Sequence, residues 1–241
     1  ARFVEAGDSI VAGVTAVALK HASESTLVRE WLGKVAPAAG AENALCGRNT
    51  ALFDDGIAIV VDASTTVSEP ISVSFGDVSA ATPDLVQRGL IVAGPNSDVT
   101  VIFRFDTDST VPFVRNVVAE VVALPGARVR CIWLQEEDRA SFHLATFAAQ
   151  IHRDASVQCH VMQFGAALSR FDARVRLAGT GASCKLNGLY VGDEKQHHDC
   201  HIDAHHDAGH TTSEMLFKGI LDDRASGVFR GNVLIHEGAS K

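Results

Sequence analysis

The sequence predicts an all-β chain: a right-handed parallel β-helix with about 28 residues per coil, capped by a short N-terminal α element. Three observations carry this reading. Residues of like character recur at a fixed step, each period holds two runs of alternating side chains, and no helical pattern of useful length fits between the runs.

The step is the strongest signal. Val73, Val101, Val129, Val157, Cys184 and Ser213 follow at intervals of 28, 28, 28, 27 and 29, with Phe75, Phe103, Cys131, Cys159, Leu186 and Met215 two residues behind. Half a period away run Ile91, Ala119, Phe147, Val175, Ile202 and Gly231. Repeats of this length mark a solenoid, in which each unit buries its apolar face against its neighbours. Ile71–Phe75, Val99–Phe103, Val129–Trp133, Val157–Val161, Arg170–Leu177 and Val228–Ile235 supply the alternating runs. Period two places successive side chains on opposite faces of a strand, so each run has one buried side. Gly94-Pro95-Asn96, Pro125-Gly126, Gly179-Thr180-Gly181 and Glu237-Gly238 are turn chemistry between them.

The first 45 residues differ. Leu27, Val28, Trp31, Leu32 and Val35 have helical spacing within Ser23–Val35, and Gly40 lies beyond them as a stop signal. Residues 1–45 are therefore read as a strand-and-helix cap that shields the first coil, and residues 46–241 as the β-helix core.

Composition excludes several classes of function. At 241 residues and 46% hydrophobic content one sizeable core is expected, and a net charge of −8 argues against nonspecific nucleic-acid binding. No apolar run approaches a membrane span, and Ala1 opens no signal-peptide pattern. Five cysteines without a CxxC pair make neither a disulfide framework nor a zinc ribbon. Cys131 and Cys159 share an inward column and should be close in space: buried reduced thiols are the first reading and a bridging disulfide the second.

Six of the eleven histidines crowd one stretch: His197, His198, His201, His205, His206 and His210, interleaved with Asp199, Cys200, Asp203 and Asp207. All are metal-ligand types. The repeat turns Cys200, Ile202 and Ala204 inward, so His197, Asp199, His201, Asp203 and His205 face outward. Same-face neighbours on a strand lie about 6.6 Å apart, which lets Asp199 with His201, or His201 with Asp203, share an ion if another chain or coil adds a ligand. The metal candidates are His197, Asp199, His201, Asp203, His206 and His210. The columns place Arg174 before and Arg230 after His201, Arg176 before and Asn232 after Asp203, and Asp172 before Asp199. This mixed face reads first as a solvated, ion-paired sheet surface; as a partner interface it would use Arg174, Arg176, Arg230 and Asn232. No HExxH, serine elbow or Walker loop is present.

Gln196–Ser213, Leu216–Asp222 and Gly227–Gly231 resemble the core of the SufB/SufD family of iron–sulfur cluster assembly proteins. Asn49–Gly56, Glu69-Pro70-Ile71 and Leu27–Gly33 resemble the segments that lead into it. The spacing is closer to the SufD branch. The resemblance implies a cytosolic, non-catalytic scaffold subunit that pairs with a SufB-like protein and a SufC-like ATPase. It implies no cofactor held by this segment alone, and a transient iron or iron–sulfur cluster in the whole complex. Its motif positions here are His197, Asp199, His201, His206, His210 and Ser213, with Lys218, Gly219, Asp222, Gly227, Phe229 and Gly231 as structural companions. The ATPase contact is expected on family regions outside this stretch, and homodimerisation of the core is a further expectation.

Two other readings remain open. A carbohydrate-active β-helix needs paired carboxylates and aromatic subsites, whereas aromatics are only 6% and Trp133 falls in an inward column. A purely structural interaction module is the other.

Overall fold

A computed structural model describes residues 9–36, 44–53, 55–75, 84–107 and 111–240. The readings placed on Ala1 and Gly40 lie outside that set. The chain is a β-solenoid of about six turns, with about 29 residues per coil.

Two sheets face each other across a packed bore. The first holds β1 (Ser9–Val11), β2 (Val14–Ala18), β3 (Asp55–Val61), β5 (Asp84–Ala93), β7 (Val114–Ala123), β9 (Phe142–Ile151), β11 (Leu168–Leu177), β13 (His197–His206) and β15 (Ser226–Ile235), in that spatial order. The second holds β4 (Ile71–Ser74), β6 (Asp98–Asp106), β8 (Arg128–Glu136), β10 (Ser156–Gln163), β12 (Ser183–Gly192) and β14 (Thr212–Leu221). From β3 onward every pairing is parallel, while β1 and β2 join antiparallel at the first edge.

Alternation builds the bore. Val99, Val101, Phe103 and Phe105 on β6 are buried while Thr100, Ile102 and Arg104 between them are half exposed. Each fully buried side chain of this kind contributes about 1.5–3 kcal/mol. Large residues on one sheet meet small ones on the other: Phe103 packs across the bore from Gly89. Trp133 lies 4.5 Å from Phe105 and 5.4 Å from Phe171, centroid to centroid. Cys131 and Cys159 are strand partners, both buried and both free. The turns stack as well: Gly126 has φ +73°, and a Cβ there would strike the Asn96 side chain of the preceding turn.

The pairing corrects the columns read from sequence. Ile71 lies beside Val101 and Val99 beside Val129, where the sequence columns put Val73 and Val101. In the other sheet Phe147 lies beside Ala173, not Val175. Each slip is of two residues. A two-residue slip keeps every side chain on its face, so hydrophobic alternation cannot detect it.

The N-terminal element covers part of the first sheet's outer face. α1 (Thr26–Trp31) is shorter than the helical spacing predicted, and Ser25 caps it by accepting from the Val28 N–H at 3.4 Å. α2 (Ala44–Leu52) follows and crosses the position where the core was expected to begin. Beneath them Leu90, Val92, Val118, Val122 and Ala148 are buried outward-facing residues. One fully buried ion pair sits in this layer among the described residues. Arg88 and Glu120 are fully buried 2.9 Å apart. The Glu120 carboxylate also accepts from the backbone N–H groups of Gly33, Val35 and Ala36 at 2.9, 3.0 and 2.9 Å. Arg88 donates to Asn49 and Thr50 of α2. Trp31 closes the edge of the cap, edge-on to His152 at 5.8 Å.

Candidate functional site

The outer face of the first sheet continues beyond the cap across β11, β13 and β15, and there it is open. Its outward side chains are Arg170, Asp172, Arg174 and Arg176 on β11, His197, Asp199, His201, Asp203 and His205 on β13, and Arg230 and Asn232 on β15. Nine residues, from Arg170 to Asn232, line a concavity of about 480 Å³ on this face. Strict alternation on β13 explains the segregation: Cys200, Ile202 and Ala204 fill the bore and leave the ionisable residues outside.

The true register rewrites the contacts expected from sequence. Asp172, not Arg174, lies beside His201; Arg170, not Asp172, lies beside Asp199; Arg174, not Arg176, lies beside Asp203. β11 sits two residues off its expected place against both β9 and β13, and this causes all three changes. On the β15 side Arg230 beside His201 and Asn232 beside Asp203 stand as expected.

Arg170, which the sequence reading passed over, is the centre of the site. Its guanidinium reaches Asp172 at 3.0 Å, Asp199 at 2.9 Å and His201 Nδ1 at 3.1 Å. Burial alone would lower its pKa, but the hydrogen bond and charge of Asp172, joined by Asp199, raise it above the ordinary arginine value. A guanidinium has no lone pair to offer, so His201 Nδ1 must accept. The remaining proton then sits on Nε2, 3.0 Å from Asp199 Oδ1.

The metal candidates do not converge. His197 Nδ1 pairs with Ser226 Oγ at 2.7 Å, at the start of β13. His206, only 8% exposed, turns into the bore and bonds Thr211 at 2.7 Å and Ser213 at 2.9 Å. Thr211 Oγ1 gives its own proton to the Ala208 carbonyl. His206 Nδ1–H therefore donates to Thr211, and Nε2 accepts from Ser213. His210 sits in the following turn with φ +58°. Asp199, His201 and Asp203 share one face, but among the described residues no group of three or more His, Cys, Asp and Glu side chains is arranged to hold an ion.

Thiolates are no nearer. Burial pushes the Cys131, Cys184 and Cys200 thiols up to about 12, with Asp199 and Asp172 adding to the effect at Cys200. At neutral pH these are protonated groups inside the bore.

The bore also holds polar residues that the sequence reading missed. Glu137 ion-pairs with Arg115 at 2.5 Å and lies 2.7 Å from His143 Nδ1. Trp133 Nε1–H donates to His143 Nε2 at 3.3 Å. Burial pushes the Glu137 carboxyl up, but His143 and Arg115 outweigh it and bring it down to about 2. No local motif marks this cluster, because its members come from three strands and a turn.

Comparison with known proteins decides the family. Residues 77–241 match the core domain described as SUF system FeS cluster assembly, SufBD core domain. The chain belongs to the SufBD family. It is similar to the SufBD family protein slr0076 of Synechocystis, 28% identical over 200 residues that cover 79% of this chain and 44% of the relative. The SufBD family protein Rv1462 of Mycobacterium tuberculosis is 27% identical over 195 residues, 78% of this chain and 48% of that protein. ML0594 of Mycobacterium leprae is 29% identical over 128 residues, covering 50% and 33%. The chain thus spans less than half the length of the curated relatives it matches. Within this SufBD solenoid, among the described residues, no helix is long and apolar enough to cross a membrane.

Proposed function

We propose that this SufBD solenoid is a non-catalytic scaffold subunit in iron–sulfur cluster assembly, of the SufD-like branch, acting in the cytoplasm. In this reading its open outer face docks a SufB-like partner. The single observation that carries the docking surface is the break in the first sheet: its outer face is sealed by α1 and α2 over β5, β7 and β9, then left open and charged over β11, β13 and β15. Exposed ion pairs add little to the stability of a fold. Arg170, Asp172, Asp199 and His201 are fixed to one another before any partner arrives, and prearranged charges select a partner and set its register.

The chemistry of the chain supports presentation over catalysis. Its thiols are buried and protonated, and among the described residues no group of three or more His, Cys, Asp and Glu side chains is arranged to hold an ion. Iron and sulfide, as cargo, would be held between this subunit and a second chain that completes the ligand set. A SufC-like ATPase belongs to the same assembly through family regions outside this stretch.

The test is anaerobic co-purification with a SufB-like protein, with and without a SufC-like ATPase. Capture of the SufB-like protein that falls when Arg170 and Arg230 are changed to glutamine supports the reading. Capture that is indifferent to both substitutions removes this face from the partnership.

A further inference from the structure

No ion is expected on this segment alone, yet the last outward position of β13 brings two imidazoles together. His205 has Leu234 as its partner on β15. His236, two residues beyond Leu234, is the diagonal neighbour on the same face, within reach of a long side chain. Its Nε2 lies 3.3 Å from His205 Nδ1. The ring centroids are 5.6 Å apart and the planes meet at 26°, so the two nitrogens point at one another, one N–H to the other's lone pair. Asp207 Oδ1 lies 3.3 Å from the same His236 nitrogen, and Arg176 holds the other carboxylate oxygen at 2.8 Å.

Two imidazole nitrogens bound to one ion at about 2.0–2.1 Å subtend roughly 3–3.4 Å. The separation needed for chelation is already present; what must change is the angle between the rings, so that their lone pairs converge. The His236 side chain is 46% exposed and has room to turn. We propose that His205 and His236 form a two-histidine site for a divalent first-row transition-metal ion, with Asp207 beside it and water completing the coordination. Asp207 and Asp203 favour the cation and Arg176 opposes it; these are the charged groups that act on His205 besides His236. With only two protein ligands the ion remains exchangeable. Affinity should rise toward the copper end of the series.

His205 lines the same concavity as the Arg170 cluster, but ion binding is read on this chain alone, so the proposal can fail while the docking reading stands. The experiment is calorimetric titration of the intact, tag-free protein with NiCl2, paired with electron paramagnetic resonance after one equivalent of Cu2+. One saturable ion per chain is expected, with copper coupled to two nitrogens. His205→Gln and His236→Gln should each abolish saturable binding, while a His197→Gln/His201→Gln double variant should bind as before. Absence of saturable binding, or binding that survives His236→Gln, overturns the proposal, as does binding that follows His197 and His201. His236 is exposed, so its variant should fold; unchanged circular dichroism checks this.

Discussion

The outer face of the first sheet is two surfaces on one scaffold. Over β5, β7 and β9 it carries Leu90, Val92, Val118 and Val122 around one buried ion pair, and the cap covers it. Over β11, β13 and β15 the strands pair in the same parallel way, but the face carries Arg170, Asp172, Asp199, His201 and Arg230. A solenoid fixes its inward residues by packing and leaves the outward ones free to serve whatever lies against them. Where the chain supplies its own cover, the face is apolar and its charges are fully spent. Where it does not, the face is ionic, and its charges are prearranged.

The covered half should be the easier to break. Glu120→Ala strands the buried Arg88 and three backbone N–H groups of the cap, and should cost about 3–5 kcal/mol in denaturant unfolding. A loss under about 1 kcal/mol would mean that water reaches this layer and that the halves are less different than drawn.

Beneath the covered half, Glu137 gives a pH signature. Its folded pKa, about 2, lies below the ordinary 4.5, so the carboxylate form stabilises the fold. That contribution, on the order of 3 kcal/mol, is present above pH 4.5 and is lost as the pH falls toward 2. Unfolding measured from pH 6 to pH 3 should show a decline that Glu137→Gln flattens. Parallel declines in both proteins would assign the acid sensitivity elsewhere.

The open half should respond in the opposite way. Arg170→Ala should cost about 1–2 kcal/mol, less than the buried pair because Arg170 is itself 32% exposed, yet should impair capture of a SufB-like protein. Arg230→Gln should leave stability within about 0.5 kcal/mol, since Arg230 has no ion-pair partner within 4.0 Å among the described residues. Its effect should appear in capture alone. A large stability loss from either variant would erase the distinction between the halves.

The solenoid was legible because inward residues obey one rule over many coils, and Val129, Val157 and Cys184 announce it together. Inward and outward assignments on β13 were legible for the same reason. The neighbours of those residues were not. Turn lengths vary from coil to coil, and a slip of two costs nothing in alternation, so Arg170 was placed away from Asp199 although its parity was right. The cap's anchor was invisible for a different reason. Arg88, Glu120 and Asn49 are ordinary polar residues in sequence, and only the approach of α2 and the Gly33–Ala36 backbone makes them interior.

The two tryptophans fall on opposite sides of this architecture. Trp31 sits in the cap against His152, and Trp133 lies fully buried in the bore among Phe105, Phe171 and His143. Each is the only indole of its environment, so the chain carries two native fluorophores that report separate events. With Trp31→Phe the remaining emission follows the coils; with Trp133→Phe it follows the seal over them. Coincident transitions would mark one cooperative unit, and an earlier change at Trp31 would mean that the solenoid can shed its cover while its coils stay wound.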